Sequence, residues 1–383
     1  MLDPTYHVQW ETKELANSYV LKDKLGEGEF GVVYKCIRKK DAAKEAAGGK
    51  VRMYALKQIH MSGKKDDPVM LQDASAEVYY LKKLRESAST CNPFVICYIR
   101  NFLGTDGYLN IVTDFITGRT FDSITTDNKV GGKKTLPEVF RRLLLTALRG
   151  LEYMHKRDVV HRDIHSSNLM IMNYDTTSVS AAASAQVIFI DVGLACDSAE
   201  VCRNNTLEIV QYTSPEMLSA DISNRQLTLP EYKASDVWRT ALVFERLNSY
   251  KSLFHFDYDR QYVVLQRNKN FERNVQKILD GPSSFAFRAA QLAVRRGVLT
   301  AQTQLLQRQN FDLNGPTTYD TEGRMANITT DEPAGHVLRR MLEFDWRQRI
   351  MPLVGVKTIE NFDIVKSRSS SSTVIQKKKQ KIG

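Results

Sequence analysis

The hydrophobic pattern changes its period about a third of the way along the chain, and this restricts the fold more than any other feature. From Tyr19 to Phe115, short strand-like runs alternate with glycine-bearing turns. Thr135-Leu-Pro-Glu138 then has the form of a helix start, a capping box with proline in the first turn. Behind it Val139, Phe140, Leu143, Leu144, Ala147, Leu148, Leu151 and Met154 recur at i, i+3, i+4 spacing. That spacing predicts an amphipathic helix of about five turns. Beyond Ser235 the chain reads as mostly helical to about Phe362. A β-rich first third followed by helices predicts an α+β fold in two lobes.

Within that outline, residues 1–18 are expected to form a polar N-terminal extension, 19–116 a small β-sheet lobe and 117–362 a larger, mainly helical lobe. Residues 363–383 are expected to be a basic Ser/Lys-rich tail without periodicity. The first lobe is expected to carry one main helix over Leu71–Arg85. Asp41–Lys50 reads as an exposed loop between two strands, and Ser62–Pro68 as another loop. Phe94–Phe115 reads as two strands joined at Gly104-Thr-Asp-Gly107. Asn173–Ala185 reads as a low-complexity loop ahead of a buried strand at Val187–Ile190.

Charge narrows the function classes. Lysine plus arginine is 54 and aspartate plus glutamate 44, a formal charge of +10. Six of the positives and no acid lie in Lys366–Gly383, which leaves +4 for the rest. A nearly balanced body with a basic tail argues against a nucleic-acid-binding main domain. The five cysteines, Cys36, Cys91, Cys97, Cys196 and Cys202, are odd in number and form no C-x-x-C pair. They are expected to be reduced thiols of an intracellular protein, cytoplasmic or nuclear. No run of 18 apolar residues occurs, and the first 17 residues lack the pattern of a secretory signal, so no membrane span is expected.

Three motifs carry chemistry. Gly26-Glu-Gly28-Glu-Phe-Gly31 fits G-x-G-x-x-G, a pattern shared by two unrelated phosphate-binding devices and by ordinary hairpins. A dinucleotide site requires a helix after the last glycine, whereas Gly31 leads into the strand-like Val32–Ile37. A glycine turn between strands can fold over phosphates, because absent side chains let backbone N–H groups come close. Lys57, in Tyr54-Ala-Leu-Lys57, has its ammonium among apolar neighbours and needs an anionic partner. Glu77 offers one, on the helix face shared with Leu81 and Leu84; Glu86 is a competitor at the helix end. The third motif is His161-Arg-Asp-Ile-His-Ser-Ser-Asn168, after the long helix and Val159-Val160.

With these, Asp191-Val-Gly193, Ser214-Pro-Glu216, Asp236-Val-Trp238 and Asp345-Trp-Arg-Gln-Arg349 complete an ordered series. The chain over roughly 20–352 resembles a eukaryotic-type protein kinase. The resemblance implies a bilobal kinase fold, ATP and Mg²⁺ as cofactors, and a protein substrate. It implies Lys57 on the α- and β-phosphates, Glu77 fixing Lys57, and Asp191 and Asn168 as Mg²⁺ ligands. It implies Asp163 as the base that accepts the substrate hydroxyl proton. Gly26, Gly28 and Gly31 would cover the phosphates, and Val33 and Ala55 would sandwich the adenine. Backbone groups near Asp114 to Ile116 would pair with the base, with Thr113 behind it and Thr120 near the ribose. Glu216 would pair with a late arginine, here Arg349, as architecture.

Departures from the family pattern set further expectations. Val192 stands where phenylalanine is usual, so the active arrangement is expected to be less firmly packed. His165 stands where Ser/Thr-directed members carry lysine. Glu208-Ile209 falls where a Gly-Thr pair is usual. Ser167-Asn168 and Tyr212-Thr-Ser-Pro-Glu216 favour the Ser/Thr branch over the Tyr branch. Thr206, opposite Arg162, is a candidate phosphorylation site in the segment Asp191–Glu216. The function expected is ATP-dependent phosphorylation of protein hydroxyls. The alternative is a nucleotide-binding pseudokinase scaffold, set against the presence of all five charged or metal-facing residues. A small-molecule kinase fits less well, because Ser214-Pro-Glu216 and the Asp236 motif build a protein-substrate platform.

Overall fold

The computed structural model describes residues 8–28, 31–60, 68–87, 90–131, 135, 137–174, 183–203, 212–249, 333–343 and 345–362. The basic tail expected at 363–383, residues 250–332 and Thr206 lie outside these. The first part of the chain builds a sheet from β1 (Thr12–Lys13), β2 (Tyr19–Gly28), β3 (Gly31–Arg38), β4 (Tyr54–His60), β5 (Tyr98–Gly104) and β6 (Tyr108–Asp114). Their spatial order is β1-β5-β6-β4-β3-β2. All neighbours are antiparallel except β1, which runs parallel to β5.

β1 comes from the stretch expected to be an extension. Trp10 explains its docking: the indole Nε1–H donates to Ser75 Oγ at 3.0 Å, and Leu103 N–H donates to Glu11 O at 3.0 Å. Ser75 lies on α3 (Pro68–Lys83), the main helix of this lobe, which packs against β5 and β6. A short helix, α1 (Leu15–Ser18), leads from β1 into β2.

Between β3 and β4 the expected loop contains a helix, α2 (Ala42–Ala46). Its Ala, Lys and Glu residues are strong helix formers. Gly48, at φ +77°, ends it by donating its N–H to Glu45 O.

The second lobe is helical around a small antiparallel sheet. Its helices are α4 (Phe121–Gly131), α5 (Pro137–Lys156), α6 (Ala199–Arg203), α7 (Pro215–Ser223), α8 (Leu229–Ser249), α9 (Pro333–Met341) and α10 (352–362). β7 (Gly118–Thr120), β8 (Leu169–Met172) and β9 (Gln186–Phe189) form the sheet, with β8 in the middle. The eight apolar residues that predict α5 are all at most 2% exposed, facing β9, α8 and α9. This stripe is the centre of the main core. The helix begins at Pro137, and the Thr135 hydroxyl meets Tyr174 Oη at 3.0 Å instead of closing a box with Glu138.

The cysteines overturn the reduced-thiol expectation. Cys91 is joined to Cys97 and Cys196 to Cys202, with Cα–Cα distances of 5.6 and 5.2 Å. Chain turns bring each pair within the range a disulfide spans. Six-residue spacing could not reveal this, because it leaves the turn undefined. Cys36 is the free cysteine, buried under the outer sheet face, where burial pushes its thiol up to about 12. Among the described residues, no helix is long and apolar enough to cross a membrane.

Candidate active site

Strand register decides which side chains can share a surface. Val33 lies opposite Lys57, and Lys57 opposite Ile111. Lys35 lies opposite Ala55, and Ala55 opposite Thr113. Alternate residues of a strand point the same way, so Val33, Ala55, Lys57 and Thr113 occupy one face. The other face carries Cys36, Tyr54, Leu56 and Val112, which form their own cluster with Tyr19 and Phe102. The residues expected to enclose an adenine and its phosphates therefore line one wall.

The glycine turn closes that wall. Gly26 pairs with Val33, and Gly28 with Gly31. Gly31 has φ +133°, and a Cβ there would stand 2.1 Å from the backbone oxygen of Gln58. Only glycine allows β3 to approach β4 so closely. At Gly26 an added Cβ meets nothing within 4 Å. Of these two positions, the last glycine of the motif is the one the backbone requires.

Three separate stretches meet at Lys57. Its Nζ lies 2.8 Å from Glu77 Oε2 and 3.5 Å from Asp191 Oδ1. Burial works against the Lys57 charge, but the carboxylates of Glu77 and Asp191 outweigh it and leave its pKa above the ordinary lysine value. Asp191 has φ +56°, a left-handed backbone that turns its carboxylate back, where Oδ1 accepts the Gly193 N–H at 3.2 Å. A Cβ at Gly193 would come within 3.2 Å of that same oxygen. Val192, beside it, is fully buried in the main core.

The loop between α5 and β8 carries the second group. Asn168 Nδ2 donates to Asp163 Oδ2 at 2.8 Å and to Asp163 O at 2.9 Å. Spending the amide nitrogen on Asp163 presents the Asn168 oxygen as the group suited to a cation. His165 Nε2 is 3.5 Å from the same Asp163 oxygen. Burial raises Asp163, but its contact with His165, and the charges of His165, His161 and Arg239, leave the carboxyl below its ordinary value.

What fixes this loop is Asp236, on α8. Its fully buried carboxylate accepts the N–H of His161 at 2.7 Å and of Arg162 at 2.9 Å, and meets His155 Nε2 at 3.1 Å. Arg162 has φ +66°. Such backbone persists only where the surroundings over-determine it. The loop is tied to the Asp191 segment as well: His161 Nε2 meets Ile190 O at 3.0 Å, and Ile190 N–H donates to Asn168 O at 3.0 Å. The Asp163–Asn168 and Lys57–Glu77–Asp191 groups are thereby joined through one residue, Ile190.

The three residues expected near the base and ribose also make bonds within the protein. Asp114 pairs with Arg52 at 2.6 Å, and its N–H donates to Cys97 O at 3.0 Å. Ile116 O accepts the Gly118 N–H at 3.0 Å. Thr120 Oγ1 accepts the Ser123 N–H at 3.2 Å, in the first turn of α4. Glu216 and Arg349 form the expected pair through two bonds of 2.7 and 3.0 Å.

Sequence reasoning missed two groups. Arg246, at the far end of α8, reaches Asp122 Oδ1 at 3.1 Å, Tyr212 Oη at 3.2 Å and Ser166 Oγ at 3.3 Å. This ties the segment before Ser214 to the Asp163 loop. Asp197, just past Cys196, accepts from three side chains of α3. Neither residue belongs to a motif with a spacing rule, so no local signal pointed to it.

Among the described residues, no cluster of three His, Cys, Asp or Glu side chains forms a metal cage. Mg²⁺ needs none, because it binds through one or two carboxylates together with substrate phosphates. The carboxylate of Asp191 and the amide oxygen of Asn168 are the hard oxygen donors it prefers, and both belong to the linked groups.

A family model for the protein kinase domain matches residues 19–357. Among curated proteins, the chain is similar to mouse serine/threonine-protein kinase Nek11, 30% identical over 170 residues, 44% of this chain and 25% of that protein. Human Nek11 is 33% identical over 163 residues, 42% of this chain and 22% of the relative. Wee1-like protein kinase 2-A of Xenopus laevis is 29% identical over 156 residues, 40% and 25% of the two. The matched region thus spans about a quarter of the length of these relatives.

Proposed function

This chain belongs to the protein kinase family, and on that premise we propose that it transfers the γ-phosphoryl group of ATP to serine or threonine hydroxyls of protein substrates. The observation that carries the reading is the meeting of Lys57, Glu77 and Asp191 beside the Asp163–Asn168 pair. Phosphoryl transfer demands placement and charge stabilisation more than covalent help from the protein. This arrangement supplies both. Names of the relatives favour the Ser/Thr class.

In this reading Lys57 would hold the α- and β-phosphates, with Glu77 keeping its ammonium in place. The glycine turn Gly26–Gly31 would cover the phosphates with backbone N–H groups. Mg²⁺, when bound by Asp191 and Asn168, would neutralise phosphate charge. Asp163 would orient the acceptor hydroxyl and take its proton as attack proceeds. Like any aspartate, Asp163 is ionised at neutral pH before substrate arrives, so it can act as acceptor. Val33, Ala55 and Thr113 would flank the adenine.

The test is transfer from Mg²⁺-ATP to a generic protein substrate by wild type, Lys57→Met and Asp163→Asn. Family-like turnover is on the order of 1–100 s⁻¹ on a good substrate. Wild type should transfer, and both variants should lose activity by at least about a hundredfold, the scale of general base catalysis. Phosphoamino-acid analysis should return phosphoserine or phosphothreonine. Nucleotide binding without transfer by any of the three, even onto themselves, would establish the scaffold alternative instead.

A further inference from the structure

The Lys57–Glu77 pair depends on where α3 sits, because Glu77 is carried by that helix. Six residues further along α3, Lys83 Nζ lies 2.6 Å from Asp197 Oδ2. Tyr79 Oη donates to the same oxygen, and Tyr80 Oη to Asp197 Oδ1, each at 3.3 Å. One carboxylate thus gathers three donors from a single stretch of helix. It is well shielded, with 16% of its side chain exposed. A shielded carboxylate holds its partners firmly, since losing them would leave an uncompensated charge.

Asp197 is itself rigidly placed. The preceding residue, Cys196, exchanges backbone hydrogen bonds with Val160, of 2.8 and 3.0 Å. Cys196 is fully buried and joined to Cys202 on α6. Val160 directly precedes the loop that bears Asp163. Asp197 is therefore fixed to the same frame as the proposed base, and it reaches across to the helix that bears Glu77.

We propose that Asp197 is a positioning residue for phosphoryl transfer: its carboxylate clasps Tyr79, Tyr80 and Lys83, sets the position of α3, and so holds Glu77 against Lys57. Three donors at successive angles around the helix resist rotation as well as withdrawal. The proposal rests on the kinase reading for its catalytic consequence. Its structural content, the clasp on α3, stands independently.

Asp197→Asn is the leading test, because it keeps the shape and removes the charge. Loss of a charge-assisted bond predicts a rise of about tenfold in KM for ATP. KM for the protein substrate should stay within about twofold, since the clasp acts through Lys57 and not through the acceptor side. Asp197→Glu should restore part of the loss. In a Glu77→Gln background, Asp197→Asn should add little, because the two residues act in series. Amide hydrogen exchange of the full chain should speed up in α3 and stay unchanged in α5. Lys83→Met should reproduce the exchange and KM effects from the other side of the clasp if Asp197→Asn folds poorly.

The proposal is overturned if α3 exchange is unchanged, or if the penalty is as large in the Glu77→Gln background as in the wild-type one. A rise in both KM values together would make Asp197 merely structural and would also overturn it. A wild type that transfers nothing would sink the kinase reading, while the exchange measurement would still decide the clasp.

Discussion

Replacing Arg349 with methionine tests the part of this architecture that does no chemistry. The guanidinium reaches Glu216 through bonds of 2.7 and 3.0 Å, donates to Ala234 O at 2.8 Å, and donates twice to Glu343 O at 2.9 and 3.1 Å. Both charged side chains are almost wholly enclosed, at 1% and 4% exposure. Methionine fills much of the space but leaves the Glu216 carboxylate buried without its counter-ion. Breaking such a pair costs about 3–5 kcal/mol. At about 1.2 °C per kcal/mol for a chain of this size, the thermal midpoint should fall by about 4–6 °C. Adding Glu216→Gln removes the stranded charge, so the double variant should regain at least about 2 kcal/mol over the single one. The full value does not return, because the carbonyls of Ala234 and Glu343 still lack a donor. Denaturant titration and thermal melts of the three proteins supply the numbers. Nucleotide affinity of the folded Arg349→Met protein should stay within about twofold of wild type, since α7 and the turn after α9 do not carry Lys57, Glu77 or Asp191. A single-variant cost under about 1 kcal/mol, or a double variant no better than the single, would refute the reasoning.

Burial raises Asp236, yet its bond to His155, the charges of His155 and His161, and the His161 N–H leave it below the ordinary aspartate value of 3.8. A depressed pKa contributes stability that is present above the unfolded value and lost as pH falls through the folded one. The midpoint gap between wild type and Asp236→Asn should therefore not narrow between pH 7 and about pH 4 and should close only below it; a gap that closes by pH 6 would contradict this. Gly31→Ala should cost at least about 1–3 kcal/mol through its positive φ alone, with further loss from the approach of Gln58 O. Gly26→Ala, with open space around it, should melt close to wild type, and equal losses at the two glycines would contradict the close-approach argument. Val192→Phe, which installs the family's usual residue in a site with no exposed surface, should destabilise by about 1–3 kcal/mol through overpacking. A higher melting point would instead show that the valine site is underfilled.

Much of this molecule is legible in its residues, and the legible part has a common cause. The α5 helix follows from eight apolar residues in strict helical phase, because burying one stripe is what stabilises an amphipathic helix. Lys57 demands an anion because its neighbours are apolar, and Glu77 is the acid on the inward helix face. Asp163 and Asn168 are five residues apart in one loop, so their contact is nearly local. Glu216 and Arg349 pair as the family's order of motifs implies. Other features escape such a reading for the converse reason. The α2 helix is short and exposed, without a buried face to give it a period. The N-terminal β1 consists of two residues held by Trp10 and Ser75, which are 65 positions apart.

Residue types and their order were enough to settle the α5 helix and the need of Lys57 for an acid on the inward face of α3, because periodicity and charge burial act through neighbours on one element. Packing in three dimensions settled the rest: that Cys91 meets Cys97 and Cys196 meets Cys202, that Asp236 anchors the Asp163 loop, and that Asp197 grips α3. Each of these turns on how distant or loosely constrained pieces of chain come to rest against one another, and the energy of such a contact leaves no repeat in the sequence.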